Sequence, residues 1–571
     1  MKKTTIYKTA GACMTAALML SSCIDEMQPT DVLSSDQVSS LPASQKGLLN
    51  GITGYMVTYN SWGVDESTEY YANDWGYPCQ MHFRDVQLAD MPVYDATYSY
   101  WYAVESGEQT RYTPPPYFTY KYYYKLIACI NDLIGVIDPE TVSETSKQYL
   151  GCALTYRALA YLDMARMFEY KKTGIASLDD YAESNAIYGL TVPIVTETTT
   201  LDDTKHNPRA PFETMYRFIL SDLDKAEKYL ADFSREDKTL PDLSVVYGMK
   251  ARTWMELASR FEQKPEDLAK MEEAVSANEC YKKAQEYAIR AIATGGYTPT
   301  SKELWLNKTT GFNTPDKGWM WCMSVSQKEQ VPDQYYYTFI GTVSSEPEWA
   351  MGRGYKAFRC ISSSLYSKMC DGDWRKGAWV SPDDAGKPSA AIKYETSLKE
   401  DDFATLPAYA NLKFRPAGGN TTDYYVGLLG DLPLMRMEEM EFINIECTAR
   451  LRGVSAGYTA LTNFMNNYRC DDGSYDPLVS SSLSDFLNEM MVQKRVEFWG
   501  EGIIYFDYKR MNLQVRRKDN TNYQDAFMIN SVPGYTAPWM NYFILEYEQE
   551  LNTSLVPNPD SSGAIKTSDN Y

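Results

Sequence analysis

The feature that most constrains the fold is a helical repeat of small and apolar residues. In YLGCALTYRALAYLDMARMFEY, residues 149–170, apolar positions return every three or four residues, namely Leu150, Leu154, Ala158, Tyr161 and Ala165. This spacing puts them on one face of an α-helix, and such a face must be buried against other structure. The segment therefore predicts a long helix in the interior of the protein.

The same periodicity recurs along the chain and predicts further helices. Residues 211–230 begin with Pro211 at a first-turn position beside the acidic Glu213, as helix starts commonly do. Several stretches alternate small residues with aromatic ones, a mixture typical of tetratricopeptide helix pairs, although no fixed period can be aligned. We therefore predict an all-α scaffold of such pairs, with further amphipathic helices over residues 245–261, 278–294, 434–452, 456–468 and 483–499.

Two long aromatic-rich segments, residues 55–124 and 305–379, are predicted to be loops inserted in this scaffold. Loops are where recognition usually resides. The chain has 47 tyrosines and 12 tryptophans, and such rings bury large areas and stack on the apolar faces of sugars. We expect most of these rings in the core and the rest on a binding surface.

Candidate ligand-binding residues are aromatic side chains with polar neighbours. YYANDWGYP combines rings with polar groups in a loop bounded by glycine and proline, and YSYWYAVE could form a stacking shelf or, by its alternation, a strand. Residues 335–337 are weaker candidates, whereas the alternation of residues 319–322 predicts a short buried strand. The candidates are Asn73, Asp74, Trp75, Tyr77, Tyr98, Trp101, Tyr102 and Trp349.

The N-terminus has the pattern of an exported lipoprotein. Three lysines precede a short apolar run, residues 10–20, which is too brief to span a bilayer. The run ends in LSSC, similar to the bacterial lipobox, in which the cysteine receives diacylglycerol before cleavage. We predict that residues 1–22 are removed and that Cys23 is lipidated, with an ordinary signal peptide as the alternative.

The acidic residues that follow Cys23 resemble a signal for display on the outer surface of the cell. Loss of residues 1–22 would take the formal net charge from −21 to −24, because three lysines are removed. A surface this acidic repels nucleic acid. No second apolar run of membrane-spanning length follows Cys23, so the lipid would be the only anchor.

Histidine and cysteine usage disfavours several classes of site. The chain has only His82 and His206, neither in a catalytic setting, which argues against triads and histidine-rich metal centres. Outside the signal and Cys23, nine cysteines remain with no C-x-x-C pair, so a zinc site is disfavoured. Only Cys360 and Cys370 suggest a disulfide. We expect no metal and no cofactor.

Several motifs are spread over nearly the whole mature chain. The most specific is MVQKRVEFWGEGIIYFDYKRM, residues 491–511, which contains R-x-E-x-x-x-E-G-x-x-x-x-D-x-x-R. In PLMRMEEMEF, Arg436 and Glu439 fit P-L-x-R-x-x-E. Further motifs are TYRALAYLDMARMF (residues 155–168) with GLTVPI (189–194), NPRAPFETMYRFILSDLDKAEKYL (207–230), NLKFRP (411–416) and NPD (558–560). In their order and spacing, these motifs resemble those of one family, the SusD/RagB nutrient-binding lipoproteins.

The resemblance implies a SusD-like helical scaffold and a non-enzymatic function. Such a protein captures oligosaccharides at the outer membrane for a SusC-like TonB-dependent transporter. It also implies that conserved-motif charges tie helices together, namely Arg436, Glu439, Arg495, Glu497, Glu501, Asp507 and Arg510. Gln493 and Lys494 replace a usual Glu-Arg pair and Ile504 a frequent arginine, so one ion pair of that network is expected to be missing.

The N-terminal pattern and the family resemblance together predict the domain boundaries. Residues 1–22 are the signal, 23–44 the lipidated terminus with a polar tether from residue 34, 45–231 a SusD-like N-terminal region, and 232–571 a C-terminal region packed with it as one unit.

Two alternatives stay open beside glycan capture. Peptide capture, as in RagB-like members, would use exposed backbone partners and apolar pockets. A helical glycoside hydrolase would need two carboxylates at catalytic separation, and Glu497 with Glu501 is the pair to consider. Gly500 and Gly502 are expected to end the helix between them, and Arg495 with Arg510 to keep both ionised, which does not suit a general acid.

Overall fold

The structure is a computed structural model, and it describes residues 41–58, 75–95, 102–105, 107, 114–272, 276–332, 335–518, 520 and 522–563. The longer helices in this part are α1 Pro42–Met56, α2 Tyr77–Val86, α3 Pro114–Gly135, α4 Glu144–Phe168, α5 Ala176–Ser184, α6 Phe212–Tyr229, α7 Leu243–Gln263, α8 Ala277–Gly295, α9 Met437–Arg452, α10 Val454–Tyr468, α11 Leu483–Glu497 and α12 Ile504–Met511.

Shorter elements fill the connections between these helices. Short α-helical segments are Tyr102–Glu105, Leu201–Thr204, Lys302–Trp305, Phe339–Val343, Met351–Tyr355, Ser363–Tyr366, Glu400–Phe403, Tyr424–Gly427 and Glu546–Leu551. The 3-10 segments are Pro265–Lys270, Lys328–Gln330, Tyr335–Tyr337, Trp374–Ala378, Pro388–Lys393, Ala417–Gly419, Asp471–Gly473, Asp525–Phe527 and Pro538–Met540.

The long helices pack against one another in a series, which confirms the predicted all-α scaffold. α3 packs on α4, α4 on α6, α7 on α8, α8 on α9, and α9 on α10. Small residues allow the close approach: a Cβ on Gly151 of α4 would lie 2.8 Å from Cγ of Leu230, just beyond α6. This is the packing of small against bulky residues that the sequence indicated.

The predicted helices are present, and one of them begins later than predicted. α4 begins after Ser143, whose hydroxyl accepts the amide hydrogen of Ser146, and Pro211 immediately precedes α6. The predicted helix over residues 434–452 is wrong in its first three positions, which belong to strand β2, Gly430–Arg436. Those residues pair with a neighbouring strand, and the helix begins only at Met437.

The predicted short buried strand is confirmed. Strand β1, Trp319–Val325, pairs antiparallel with β2 and forms a two-stranded sheet within the described residues. Trp319 and Trp321 are fully buried, together with Trp305, Trp379 and Trp539. The sheet lies in the same large hydrophobic cluster as the long helices.

The predicted loop over residues 55–124 is wrong in part, because α2 and the beginning of α3 lie within it. In α3, Tyr123, Ile127 and Ile130 recur at helical spacing and are fully buried. Tyrosine occurs on both faces of this helix, which hid the periodicity in the sequence. Among the described helices, none is both long enough and apolar enough to cross a bilayer.

Candidate functional site

Six half-exposed or exposed tyrosines form a surface that we call the aromatic face: Tyr335, Tyr336, Tyr337, Tyr355, Tyr424 and Tyr425. Their rings form a continuous series of contacts. Tyr335 stacks on Tyr424 with centroids 4.1 Å apart, and Tyr424 is 4.2 Å from Tyr425. Tyr336 lies 4.4 Å from Tyr337 and 6.0 Å from Tyr355, which is 42% exposed.

Local hydrogen bonds and one glycine fix the position of these rings. The Asp423 carboxylate accepts the amide hydrogen of Tyr425 at 2.9 Å and so caps the helix Tyr424–Gly427. Beneath it lies Trp349, whose ring meets Tyr335 edge to face at 6.3 Å. A Cβ on Gly427 would lie 2.6 Å from Trp349 Cζ2, so only glycine permits this approach. The Asp423 cap and the close contact between Gly427 and Trp349 therefore hold the rings of the aromatic face in place.

Polar groups surround the rings. The Lys328 ammonium lies 4.2 Å from the Tyr425 centroid, and Thr422 and Asp423 are exposed at the adjacent turn. On the other side, Arg353 pairs with Asp402 at 2.5 Å. Rings flanked by hydrogen-bonding groups are the combination that a ligand with both apolar faces and hydroxyls requires.

An apolar pocket lies next to the aromatic face, and a polar cleft lies next to that pocket. A small apolar pocket of about 50 Å³ is lined by Trp75, Phe339 and Leu428 and reaches the aromatic face at Gly427. A polar cleft of about 420 Å³ lies next to it, lined by side chains that include Asn50, Thr53, Asp237 and Lys238. Gln330 and Asp431 line both cavities. Rings, apolar pocket and polar cleft thus follow one another across the surface.

The structure places the predicted site residues at different depths. Trp75 is only 4% exposed and packs 5.9 Å from Phe339, forming a wall of the apolar pocket. Trp349 is 8% exposed and supports the aromatic face from below. Cys23, Asn73, Asp74, Tyr98 and Trp101 lie outside the described residues, as does the side chain of Tyr102.

Tyr77 lies in the core, away from the aromatic face. Its hydroxyl donates to Asp163 at 2.6 Å, beside Arg84. Burial and the Asp163 carboxylate raise the pKa of Tyr77 to about 12. This hydroxyl is therefore committed to an internal network.

Residues 335–337, which belong to the aromatic face, were predicted as weaker candidates. Tyr355, Tyr424 and Tyr425 were not predicted. The signal for the last two was the pair of adjacent tyrosines in TTDYYVG, between a polar turn and a glycine. Nothing local marks Tyr355, which joins the others only through its contact with Tyr336.

A second constellation is buried and ionic, with Glu497 at its centre. Its carboxylate accepts hydrogen bonds from Arg375 at 3.0 Å, Arg436 at 3.0 Å and Arg469 at 2.8 Å. Burial favours the neutral acid, but Arg469 and Arg436 outweigh it and hold the pKa of Glu497 well below its ordinary value. Glu501 accepts from Arg436 at 2.8 Å and from Lys413 at 2.7 Å.

The charged motif residues make ion pairs, but the partners of Arg495 and Arg510 are not the expected ones. Arg495 pairs with Asp90, and Arg510 with Glu446 and Asp507, so neither is the partner of Glu497. The Glu439 carboxylate accepts hydrogen bonds from Nε and Nη2 of Arg252, at 2.7 and 2.6 Å. Arg375, Arg469 and Lys413 were missed, since they are far from Glu497 in sequence.

In the motif of residues 491–511, the two residues that replace the usual Glu-Arg pair both make polar contacts. Gln493 accepts a hydrogen bond from Arg375 at 2.9 Å, and Lys494 pairs with Asp507 at 2.7 Å. Gly500 and Gly502 have φ of 81° and 70°, and α11 ends at Glu497 as expected. A Cβ on Gly502 would lie 2.6 Å from the Met81 backbone, so this turn also requires a close approach.

The buried carboxylate Glu446 gives a prediction about pH. Burial opposes its charge, but Arg510 and Arg450 lower the pKa of Glu446 to about 2, from an ordinary value of 4.5. A depressed pKa stabilises the folded state above pH 4.5, and that contribution is lost as the pH falls towards 2. Glu446→Gln should therefore cost on the order of 3 kcal/mol at pH 6 and progressively less towards pH 2. Urea unfolding at several pH values measures this difference, and a constant difference would contradict it.

These contacts do not support acid–base catalysis by Glu497 and Glu501. Both carboxylates are buried, and Glu497 is held ionised by three arginines, whereas a general acid must carry a proton. In the described part of the chain, no group of three or more metal-ligating side chains is close enough to hold a metal ion.

Comparison with known proteins agrees with the motifs. Residues 79–255 match a SusD-like family described as starch-binding and associating with the outer membrane. Comparison with curated proteins finds no match.

Solved structures share the fold. A SusD-like carbohydrate binding protein from Bacteroides vulgatus is 19% identical, with a TM-score of 0.64 over 90% of this chain and 97% of that one. Surface glycan-binding protein A from Bacteroides thetaiotaomicron, in complex with laminarihexaose, is 14% identical, with a TM-score of 0.61 over 90% and 99%. With the family match over residues 79–255 and the fold shared with the solved structures, this chain is similar to SusD-like proteins.

Proposed function

We propose that this protein is a cell-surface glycan-binding lipoprotein that captures oligosaccharides on its aromatic face and delivers them to a partner TonB-dependent transporter. The observation that carries the proposal is the stack of Tyr335, Tyr424 and Tyr425 at the surface of a SusD-like fold. A family match described as starch-binding supports it, as does a relative solved with laminarihexaose.

The chemistry of the aromatic face suits a sugar. Pyranose rings have apolar C–H faces that pack on aromatic rings, and hydroxyls at their edges that need hydrogen-bonding partners. Because the tyrosines already pack on one another, little side-chain entropy is lost when a ligand binds. The shallow surface gives moderate affinity, which suits a protein that must release its cargo.

Anchoring and delivery rest on the N-terminus and the family. A diacylglycerol at Cys23 with an N-acyl chain would attach the protein stably to the outer membrane. The polar residues that follow would let the protein act beside a SusC-like transporter while remaining tethered. In this proposal the protein binds without turnover, consistent with the arginine contacts of Glu497.

Peptide capture is the second candidate function, and the apolar pocket beside the aromatic face favours it. Its lining by Trp75, Phe339 and Leu428 would accept an apolar side chain. A sugar should depend chiefly on the stacked rings, whereas a peptide should depend chiefly on the pocket.

Removing Tyr424 should weaken glycan binding, because it takes away the middle ring of the stack. We expect Tyr424→Ala to lose about 1 to 3 kcal/mol of binding free energy, roughly a 5-fold to 150-fold loss of affinity. The change is measured by affinity electrophoresis, in gels that contain a polysaccharide to which the wild-type protein binds. Tyr181→Ala, which removes a tyrosine 40% exposed on α5, is the matched control. If both variants are folded and migrate equally, the glycan site lies elsewhere on the protein.

A further inference from the structure

Two cysteines that are distant in sequence lie side by side. The Sγ atoms of Cys370 and Cys470 are 3.3 Å apart although 100 positions separate the residues. The sequence suggested Cys360 as the disulfide partner of Cys370, but Cys360 packs with Phe358 and Val380 in a separate hydrophobic cluster. Cys370 instead lies at the edge of the main core, which contains Cys470.

Backbone hydrogen bonds hold the two cysteine-bearing segments together. Asp373 and Cys470 form an antiparallel bridge. On either side of it, the Asp471 amide donates to the Gly372 carbonyl at 2.9 Å, and the Trp374 amide donates to the Arg469 carbonyl at 3.2 Å. The proximity of the two thiols is therefore a property of the fold and does not depend on one flexible side chain.

Both segments are also fixed to the same buried carboxylate. Arg375 follows Cys370 by five positions and Arg469 immediately precedes Cys470, and both guanidinium groups donate to Glu497. Arg375 also pairs with Asp373 at 2.7 Å. These contacts hold the two segments together on the side that faces the core. The two thiols lie nearer the surface.

The two thiols differ in access. Cys370 is half-buried, whereas Cys470 is only 6% exposed. Burial and the nearby Asp373 carboxylate raise the pKa of the Cys470 thiol. An oxidant should therefore react first at Cys370, with Cys470 as the resolving group.

We propose that Cys370 and Cys470 form a disulfide when the protein meets a small-molecule or protein disulfide. The Cys370 thiolate attacks the oxidant's disulfide, forming a mixed disulfide and releasing one oxidant thiol. The Cys470 sulfur, after losing its proton to solvent, then attacks the Cys370 sulfur and expels the second oxidant thiol. One disulfide forms in the protein, and one disulfide of the oxidant is reduced to two thiols.

The bond would close a loop that carries part of the aromatic face. Tyr424, Tyr425 and strand β2 all lie between the two cysteines in sequence. A cross-link over 100 positions restrains the unfolded chain strongly, because the entropy lost on closure grows with loop length. Oxidation would therefore stabilise the segment that presents the ligand-binding rings.

Peptide mapping tests the proposal directly. The purified full chain is incubated with oxidised glutathione, free thiols are alkylated under denaturing conditions, and a non-reduced digest is analysed by mass spectrometry. We expect a peptide pair joined through Cys370 and Cys470, with two hydrogens fewer than the separate peptides. Alkylation of both thiols after oxidation, or joining of Cys370 to Cys360, would overturn the proposal.

A stability comparison tests the consequence of the bond. Oxidised protein should unfold about 2 to 4 °C above reduced protein, and Cys470→Ala should lose this shift. Cys129→Ser, which removes a half-buried thiol on α3, should retain it. A cross-linked protein whose midpoint equals that of the reduced form would overturn the claim that the bond restrains the chain.

Discussion

Replacing Glu497 with alanine should lower the free energy of unfolding by about 5 kcal/mol, because three buried arginines then lose their shared carboxylate. Arg375, Arg436 and Arg469 all have fully buried side chains. Water cannot readily reach them, so their charges would stay unpaired in the interior. Reversible urea unfolding at neutral pH measures the loss.

The matched control for Glu497 is a surface ion pair. Glu236 pairs with Lys46 at 3.0 Å, and its side chain is largely exposed. Glu236→Ala should leave the free energy of unfolding nearly unchanged, since solvent and salt already screen the pair. If the two variants were equally stable, the carboxylate of Glu497 would not have the central structural role given to it here.

Arg209→Ala should be the next most damaging change, with an expected loss of about 4 kcal/mol. The buried guanidinium donates to carbonyl oxygens of Phe168, Leu190, Thr191 and Val556 and to the side-chain oxygen of Asn558, at 2.8 to 3.0 Å. Alanine would remove the guanidinium donor from all of these acceptors, and within the described residues only the Phe168 carbonyl would keep a second hydrogen bond, from the Asn558 side-chain amide at 2.7 Å. The comparison uses unfolding free energies of wild type and variant.

Lysine at this position separates charge from geometry. Arg209→Lys keeps the positive charge but presents one nitrogen where arginine presents a planar fork of donors, so its stability should lie between those of wild type and Arg209→Ala. Arg452→Ala, at an exposed position in the last turn of α9, should change little. A lysine variant as stable as wild type would show that charge alone is required.

Arg209 also explains why separate sequence motifs mark one fold. It lies in the motif of residues 207–230, and its acceptors lie at the end of α4, in the GLTVPI segment and in the C-terminal NPD. Arg436 likewise joins the PLMRMEEMEF motif to the motif of residues 491–511 through Glu497 and Glu501. The motifs were recognisable in sequence because the residues within them bond to one another across the fold.

Helices and the buried strand could be predicted because burial imposes a period on the sequence. The pattern of Leu150, Leu154 and Ala158 is local, and so is the alternation of Trp319 and Trp321. The pairing of β1 with β2 was not predictable, since the strands lie more than a hundred positions apart and nothing local specifies the partner. Two partners of Glu497, Arg375 and Arg469, were not predictable either, because nothing local in the sequence links them to that carboxylate.

The aromatic face could be predicted only in part. Trp75 and Trp349 have the composition expected of site residues, yet both are buried, because aromatic rings serve the core as well as they serve a surface. The six tyrosines of the face come from three separate segments. Only the fold shows which of the 47 tyrosines meet at the surface.

The most direct test of glycan capture is titration calorimetry of the mature protein with a panel of oligosaccharides and peptides, followed by analysis of the ligand for cleavage. The proposed function predicts binding of at least one oligosaccharide, weakened in Tyr424→Ala, with the sugar recovered at its original length. Binding of peptides alone, or recovery of shortened sugar, would contradict it.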